Sequence, residues 1–272
     1  MSDTKPYIID AHTHVFPERV VDRAVAFLTE EYKTLPLIWP VAPKLLAHMQ
    51  ASGVDRSVVA PVASRPDQVA SINQWAISLA AEPRLLPFGG LHPHDPDLED
   101  EIHRLLDAGI PGVKIQPHFQ AFDLDEPAAE RMWETIGDRL AVLIHSGKEM
   151  QPIEKLRPTP ARIAALIERH PYLHLIVAHL GGFRIWDDVE KDLVGANVHL
   201  DLSFTFGHIG YPQIERIIRA HGPERILWGS DFPWQTQSFG LEAFARLSLT
   251  EDERRAILSG NILTLLGLPP PS

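Results

Sequence analysis

Short apolar runs, each followed by a longer segment with helical spacing, recur along the chain. Eight are present: KPYIIDAH, RSVVAP, RLLPFGGL, PGVKIQP, LAVLIH, LHLIVAH, NVHLDLS and RILWGSD. All are too short for helices and most are rich in Val, Ile and Leu, which predicts strands. Helical spacing falls between them near 18–33, 43–52, 67–82, 97–108, 126–138, 158–170, 185–193 and 211–221. This alternation implies parallel strands joined by crossovers, in an open doubly wound sheet or a closed barrel; eight units favour an α/β fold of the (β/α)8 TIM-barrel type. Residues 33–43, KTLPLIWPVAP, interrupt the alternation with Pro-punctuated apolar positions and predict a loop insertion after the first strand, placed to cap a site. Segment 241–267 predicts further helix and a packed tail, with PPPS ending ordered structure. No linker breaks the chain, so 1–272 is expected to form one domain.

Composition narrows the function. Twenty-five basic against 36 acidic side chains give a net charge of −11, which argues against nucleic acid or an anionic membrane as partner and leaves small molecules. Cysteine is absent, excluding disulfides, thiolate nucleophiles and Cys-based metal sites, so any metal must be held by His and carboxylates. The N-terminus lacks a secretory pattern and no run of apolar residues is long enough to span a bilayer, from which a soluble, cytoplasmic protein is expected. Fourteen His stand out in this setting, since imidazole is then the one borderline-soft ligand available.

In a βα barrel the C-terminal strand ends converge on the active site. The first strand ends in Asp10, His12 and His14, the fifth in His145, the sixth in His179 and the eighth in Asp231. Residues two apart on a strand face the same side with Cα atoms about 6.5 Å apart, so His12 and His14 can reach one ion. Chance alone would produce roughly 0.7 His-x-His pairs in such a chain. A second pair, His92 and His94, is interrupted by Pro93 and reads as a turn. His145 and His179 can each ligate metal or face substrate, and Asp10 can fix an imidazole tautomer or bond backbone; the residues alone leave both choices open. His118, Phe119, Arg184 and Trp234, in the loops after the fourth, sixth and eighth strands, are candidates for substrate contact, with an ion pair from Arg184 to the following WDDVEKDL as the blander reading.

DAHTH, VLIHSG, IVAHLGG, ILWGSDFPW and SGNILTLLGL, in this order from about 7 to 267, resemble the amidohydrolase-related (amidohydrolase 2) metal-dependent hydrolases. That branch includes aminocarboxymuconate semialdehyde decarboxylase-like enzymes. The resemblance implies a distorted barrel with one divalent ion, usually zinc, with manganese, iron or cobalt as alternatives. It implies His12, His14, His145 and Asp231 as ligands, His179 as the catalytic or orienting histidine, and a homodimer as the hinted assembly. Lys114 in GVKIQP could be carboxylated to bridge two ions, as in some superfamily members, but a single ion is the favoured count.

Such a site activates water. Asp231 and His179 would then handle the proton and the oxyanion, giving hydrolysis of an ester, lactone or amide. Nonoxidative decarboxylation of an aromatic or unsaturated acid is the alternative, and a noncatalytic metal-binding barrel the third reading. Hydrolysis is preferred here because no cluster of arginines marks the predicted strand ends. Replacing His92 and His94 with Ala should leave bound metal, measured by elemental analysis, unchanged; its loss would show that the second pair is the ligand pair.

Overall fold

The nine strands are β1 (Ile9–Thr13), β2 (Arg56–Val59), β3 (Leu85–Pro87), β4 (Gly89–Gly90), β5 (Gly112–Ile115), β6 (Ala141–Ile144), β7 (His174–Val177), β8 (His199–Asp201) and β9 (Ile226–Leu227). They belong to a computed structural model that describes residues 6–270. Residues 1–5 and the last two of the PPPS tail, where ordered structure is expected to end, lie outside the described residues. Every pairing is parallel: β1-β2-β3 in one ladder and β4 to β9 in chain order in the other.

The third apolar run therefore supplies two strands. Leu85–Pro87 pair with β2, the Phe88 amide still reaches back to Val59 O (2.9 Å), and Gly89–Gly90 then pair with β5. Phe88 turns its ring against Gly112, where a Cβ would lie 2.6 Å from the ring carbons, so this glycine makes room for the handover. At the other end of the ring, backbone bonds from Ala11 N to Trp228 O (2.9 Å), Asp231 N to His12 O (2.9 Å) and His14 N to Phe232 O (2.6 Å) tie β1 to the segment after β9. The chain thus forms a distorted TIM barrel.

Two apolar clusters follow from the two faces of the strands. Ile9, Ala11, Val58, Ala60, Leu86, Phe88, Ala141, Leu143, Ile176, Ala178 and Leu227 form the inner one, with Ile262 and Leu263 of the helix Asn261–Leu265 packed among them. The opposite faces, including Val59, Val113, Ile115, Val142, Ile144, Val177 and Leu200, pack on the surrounding helices. These helices match the predicted periodicity: Pro160–Arg169, for example, starts with Thr159 accepting from Arg162 N, has Pro160 in its first turn, and buries Ile163, Leu166 and Ile167.

The helix Val21–Tyr32 falls within the helical spacing near 18–33, and the predicted insertion that follows it is an extended loop running into the helix Ala42–Ser52. Leu37 N bonds Pro233 O (2.9 Å), bringing the loop beside the mouth, while Leu35 and Leu37 stay about two-thirds exposed, at 68% and 66%. No helix among the described residues is long and apolar enough to cross a membrane.

Candidate metal centre

Irregular backbone puts the predicted side chains into the mouth. The β1 ladder shifts register between Asp10 and Thr13, and this brings His12 round beside Ala11, which already faces inward. His179 would face outward by strict alternation after Ala178; its left-handed φ of 59° swings it back. Gly147, at φ 95°, lets the loop after β6 press on the loop after β7: a Cβ there would lie 2.2 Å from Phe183 N. Phe183 N to Ser146 O (2.9 Å) and Lys148 N to Phe183 O (2.8 Å) join these loops, holding His145 beside His179.

Hydrogen bonding assigns the imidazole tautomers, because each neutral ring has one donor and one acceptor nitrogen. His12 Nδ1 lies 2.9 Å from the Asp201 carboxylate and must donate to it. His14 Nδ1 donates to Ala60 O (2.7 Å). Both rings then direct Nε2 inward, where the two nitrogens are 3.0 Å apart and Asp231 Oδ1 lies 3.7 and 3.4 Å from them. Lone pairs and a carboxylate at these separations need a proton or a cation among them. Two nitrogens on one ion with bonds of 2.0–2.1 Å sit about 3 Å apart, so the spacing fits a metal. His179 Nδ1 donates to Ser203 O (3.0 Å), leaving Nε2 to accept from His145 Nδ1 (3.1 Å). His145 Nε2 is buried without a hydrogen-bonding partner, 3.3 Å from Glu149 Oε1.

Burial sets the charges. It lowers His12 to about 4, with the Lys114 charge acting in the same direction, and holds His145 well below the usual imidazole range. It lowers Lys114 to about 8 and raises Glu149 to about 8. Burial also pushes up Asp201 and Asp231, but His12 outweighs it at Asp201, held at about 2, and the His14 hydrogen bond with the His12 charge holds Asp231 far below the carboxylate range. Lys114 Nζ points its protons at His12 Nε2 from 3.1 Å.

His12, His14 and Asp231 thus form one set of donors able to hold a metal, and His145 meets His118 and Glu149 in a second set alongside. His118 Nε2 donates to Gly147 O (3.1 Å), and the half-buried Phe119 follows it. Trp234 packs edge-on against His14, with its indole nitrogen buried and unpartnered. Among the described residues Arg184 forms no ion pair with the helix that follows it; its guanidinium lies 4.9 Å above the Phe183 ring and donates to Met150 O (3.3 Å). Asp10 bonds Ser230 and Gln237 side chains and the Ser230 and His12 amides, so it braces the strand ends and touches no imidazole. His92 and His94 stand elsewhere, His92 accepting from the His94 amide and His94 paired with Glu126 at 2.9 Å. Sequence reasoning missed Glu149, Asp201 and Ser203; the D-x-S ending of the seventh run, at a strand end like the others, was the available signal.

Fold and site together define a barrel enzyme of the metal-dependent class. The chain belongs to the amidohydrolase family: the family profile described as amidohydrolase (Amidohydro_2) matches residues 9–268. Membership makes it a metal-dependent enzyme of the amidohydrolase superfamily. No curated protein sequence matches it. Among solved structures it is similar to 2,6-dihydroxybenzoate decarboxylase from Rhizobium, at 19% identity over 97% of this chain and 99% of that one, with a TM-score of 0.72. It is also similar to 5-carboxyvanillate decarboxylase from Sphingomonas paucimobilis (17% identity, 97% and 100% covered, TM-score 0.71). The 5-carboxyvanillate decarboxylase of Novosphingobium aromaticivorans, complexed with manganese and a nitrobenzoic acid, gives 16% identity, 97% and 96% coverage and a TM-score of 0.74. At these identities the likeness shows the fold.

The neutral carboxyl of Glu149 has a testable consequence. Folded, it stays protonated to about pH 8, whereas unfolded it ionises near 4.5, so its stabilising contribution is full below 4.5 and is lost as pH rises through that window. Glu149→Gln removes the loss. On metal-stripped protein its Tm should match the wild type near pH 4.5 and exceed it by roughly 5–10 °C at pH 8. A difference that does not grow with pH would contradict a buried neutral carboxyl.

Proposed function

We propose that the chain is a metal-dependent nonoxidative decarboxylase of a small aromatic or unsaturated carboxylic acid. One divalent ion would be held by Nε2 of His12, His14 and His145 and by the Asp231 carboxylate. Bound there, it would anchor an acid substrate and withdraw charge from it. The manganese in the Novosphingobium decarboxylase structure supports manganese over the zinc that the sequence resemblance suggests.

The observation that carries this reading is the placement of two side chains able to deliver a proton, Lys114 and Glu149, against the ligand set. Replacing a carboxylate by hydrogen, R–CO2⁻ + H⁺ → R–H + CO2, consumes one proton and no water. Lys114 Nζ lies 3.1 Å from His12 Nε2 and Glu149 Oε1 lies 3.3 Å from His145 Nε2, so two groups able to carry a proton face the ligand set. Hydrolysis asks for a base beside the ligand set, and both nitrogens of His179 are already engaged, Nδ1 with Ser203 O and Nε2 with His145 Nδ1. His179 accepts from His145 Nδ1 through its own Nε2 and so orients a ligand.

The walls suit a flat substrate. Phe183 lies 5.9 Å from the His179 ring and 5.6 Å from Phe204, and Trp234 stands against His14 on another side. Aromatic faces at such separations bind a planar ring by offset or edge contacts. His118, with its ring 6.0 Å from that of His145, and Arg184, over the Phe183 ring, would contact substituents, as would Phe119 next to His118 in the chain.

Hydrolysis and decarboxylation leave different marks from solvent. With hydroxybenzoic acids and lactones offered in buffer enriched in D2O and in ¹⁸O-labelled water, we expect CO2 release, one deuterium on the carbon that lost its carboxylate, and no ¹⁸O added to that product. Incorporation of ¹⁸O into a new acid or alcohol, without CO2, would overturn the reading in favour of hydrolysis.

A further inference from the structure

Asp201 closes β8 as a fully buried carboxylate, and the donors that satisfy it belong to the site or to its immediate support. Oδ2 accepts from His12 Nδ1 (2.9 Å). Oδ1 accepts from the backbone amides of His179 (3.0 Å) and Ser203 (2.9 Å), and from the Ser203 hydroxyl. That hydroxyl, its proton given to Asp201, can only accept from the rings beside it, His12 Nδ1 at 2.9 Å and His179 Nδ1 at 3.1 Å. The Ser203 carbonyl accepts from the same His179 nitrogen (3.0 Å).

We propose that Asp201 and Ser203 are a pair of positioning residues that set, proton by proton, which nitrogen of each site imidazole is free to bind metal. The inference rests on the ligand set proposed above. Asp201 fixes the proton of His12 on Nδ1 and clears Nε2. Ser203 fixes the proton of His179 on Nδ1, so His179 Nε2 is an acceptor, His145 must donate from Nδ1, and His145 Nε2 is cleared in turn. One buried D-x-S therefore separates the ligand His145 from the nonligand His179. Without it, His12 can carry its proton on Nε2 and donate to Asp231, which blocks the position a metal needs. Partners behind metal-binding histidines act in this way, and removing them costs 10- to 100-fold in affinity.

A role confined to folding would lower stability without moving tautomers or affinity, so those are the readouts. The full chain, labelled with ¹⁵N-histidine and stripped of metal, is examined by two-bond ¹H–¹⁵N spectra, which separate the two tautomers, and its Mn²⁺ affinity is measured by calorimetry. We expect Nδ1–H forms for His12 and His179 in the wild type. In Asp201→Asn the amide nitrogen must face one of the donors, so His12 should move toward Nε2–H and Mn²⁺ Kd should rise 10- to 100-fold. Ser203→Ala keeps the carbonyl that accepts from His179 Nδ1, so His179 and His145 should hold their tautomers, while loss of the hydroxyl that donates to Asp201 should weaken Mn²⁺ binding by less than Asp201→Asn does. An unchanged His12 tautomer with Kd within twofold of wild type in Asp201→Asn would overturn the proposal. Should Asp201→Asn lack a cooperative thermal transition, the wild-type spectrum decides: Nδ1–H forms of His12 and His179 support the pair, and an Nε2–H form of either would overturn it. Failure of the wild type to bind Mn²⁺ would count against the metal reading, and an absence of CO2 release against the decarboxylase reading, whereas the spectra judge the pair independently of both.

Discussion

Two imidazole nitrogens 3.0 Å apart with a carboxylate oxygen within 3.7 Å of both cannot stay together unless positive charge lies among them. The architecture around the mouth serves that crowding. The register shift in β1 supplies His12, the backbone bonds between β1 and the segment after β9 supply Asp231, and the pressed loops at Gly147 supply His145 and His179. Asp10, pushed up to about 6 by burial, is the brace that joins Ser230 and Gln237 to the first strand beneath His12. A closed barrel suits this arrangement because opposite ends of the chain meet at its seam.

Burying so many titratable groups would be costly without division of charge. Asp201 and Asp231 remain anions because imidazoles face them, while Glu149 and Asp10 are pushed toward their neutral forms. Lys114 supplies a cation that reaches His12 Nε2. Carboxylates in one mouth thus favour opposite charge states according to their neighbours. The chain's net charge of −11 leaves attraction of an anionic substrate to local cations.

What was legible in the sequence follows from topology. Strand ends must converge in a barrel, so His12, His14, His145, His179 and Asp231 could be pooled from runs spread along the chain. Their division could not, because tautomers depend on partners from other strands: Asp201 from β8 behind His12, and Ser203 beyond it behind His179. Asp201 sits in NVHLDLS, where a strand-end Asp carries no periodic mark. Glu149 lies in a loop, where spacing predicts nothing. RLLPFGGL reads as one strand because apolar continuity hides the change of partner at Phe88. Arg184 invited an ion pair with nearby Asp187 and Asp188, yet a left-handed φ of 59° turns its backbone and the guanidinium settles on Phe183 and Met150.

The central claim is that one divalent ion joins Nε2 of His12, His14 and His145 to Asp231, with His179 outside the ligand set. A crystal structure of Mn²⁺-loaded protein, with the ion located by anomalous scattering, tests it directly. The account predicts one anomalous peak bonded to those three nitrogens and an Asp231 oxygen, with His179 Nε2 still paired to His145 Nδ1. A peak bonded to His179, or one held by His118, His145 and Glu149 without His12 and His14, would contradict it.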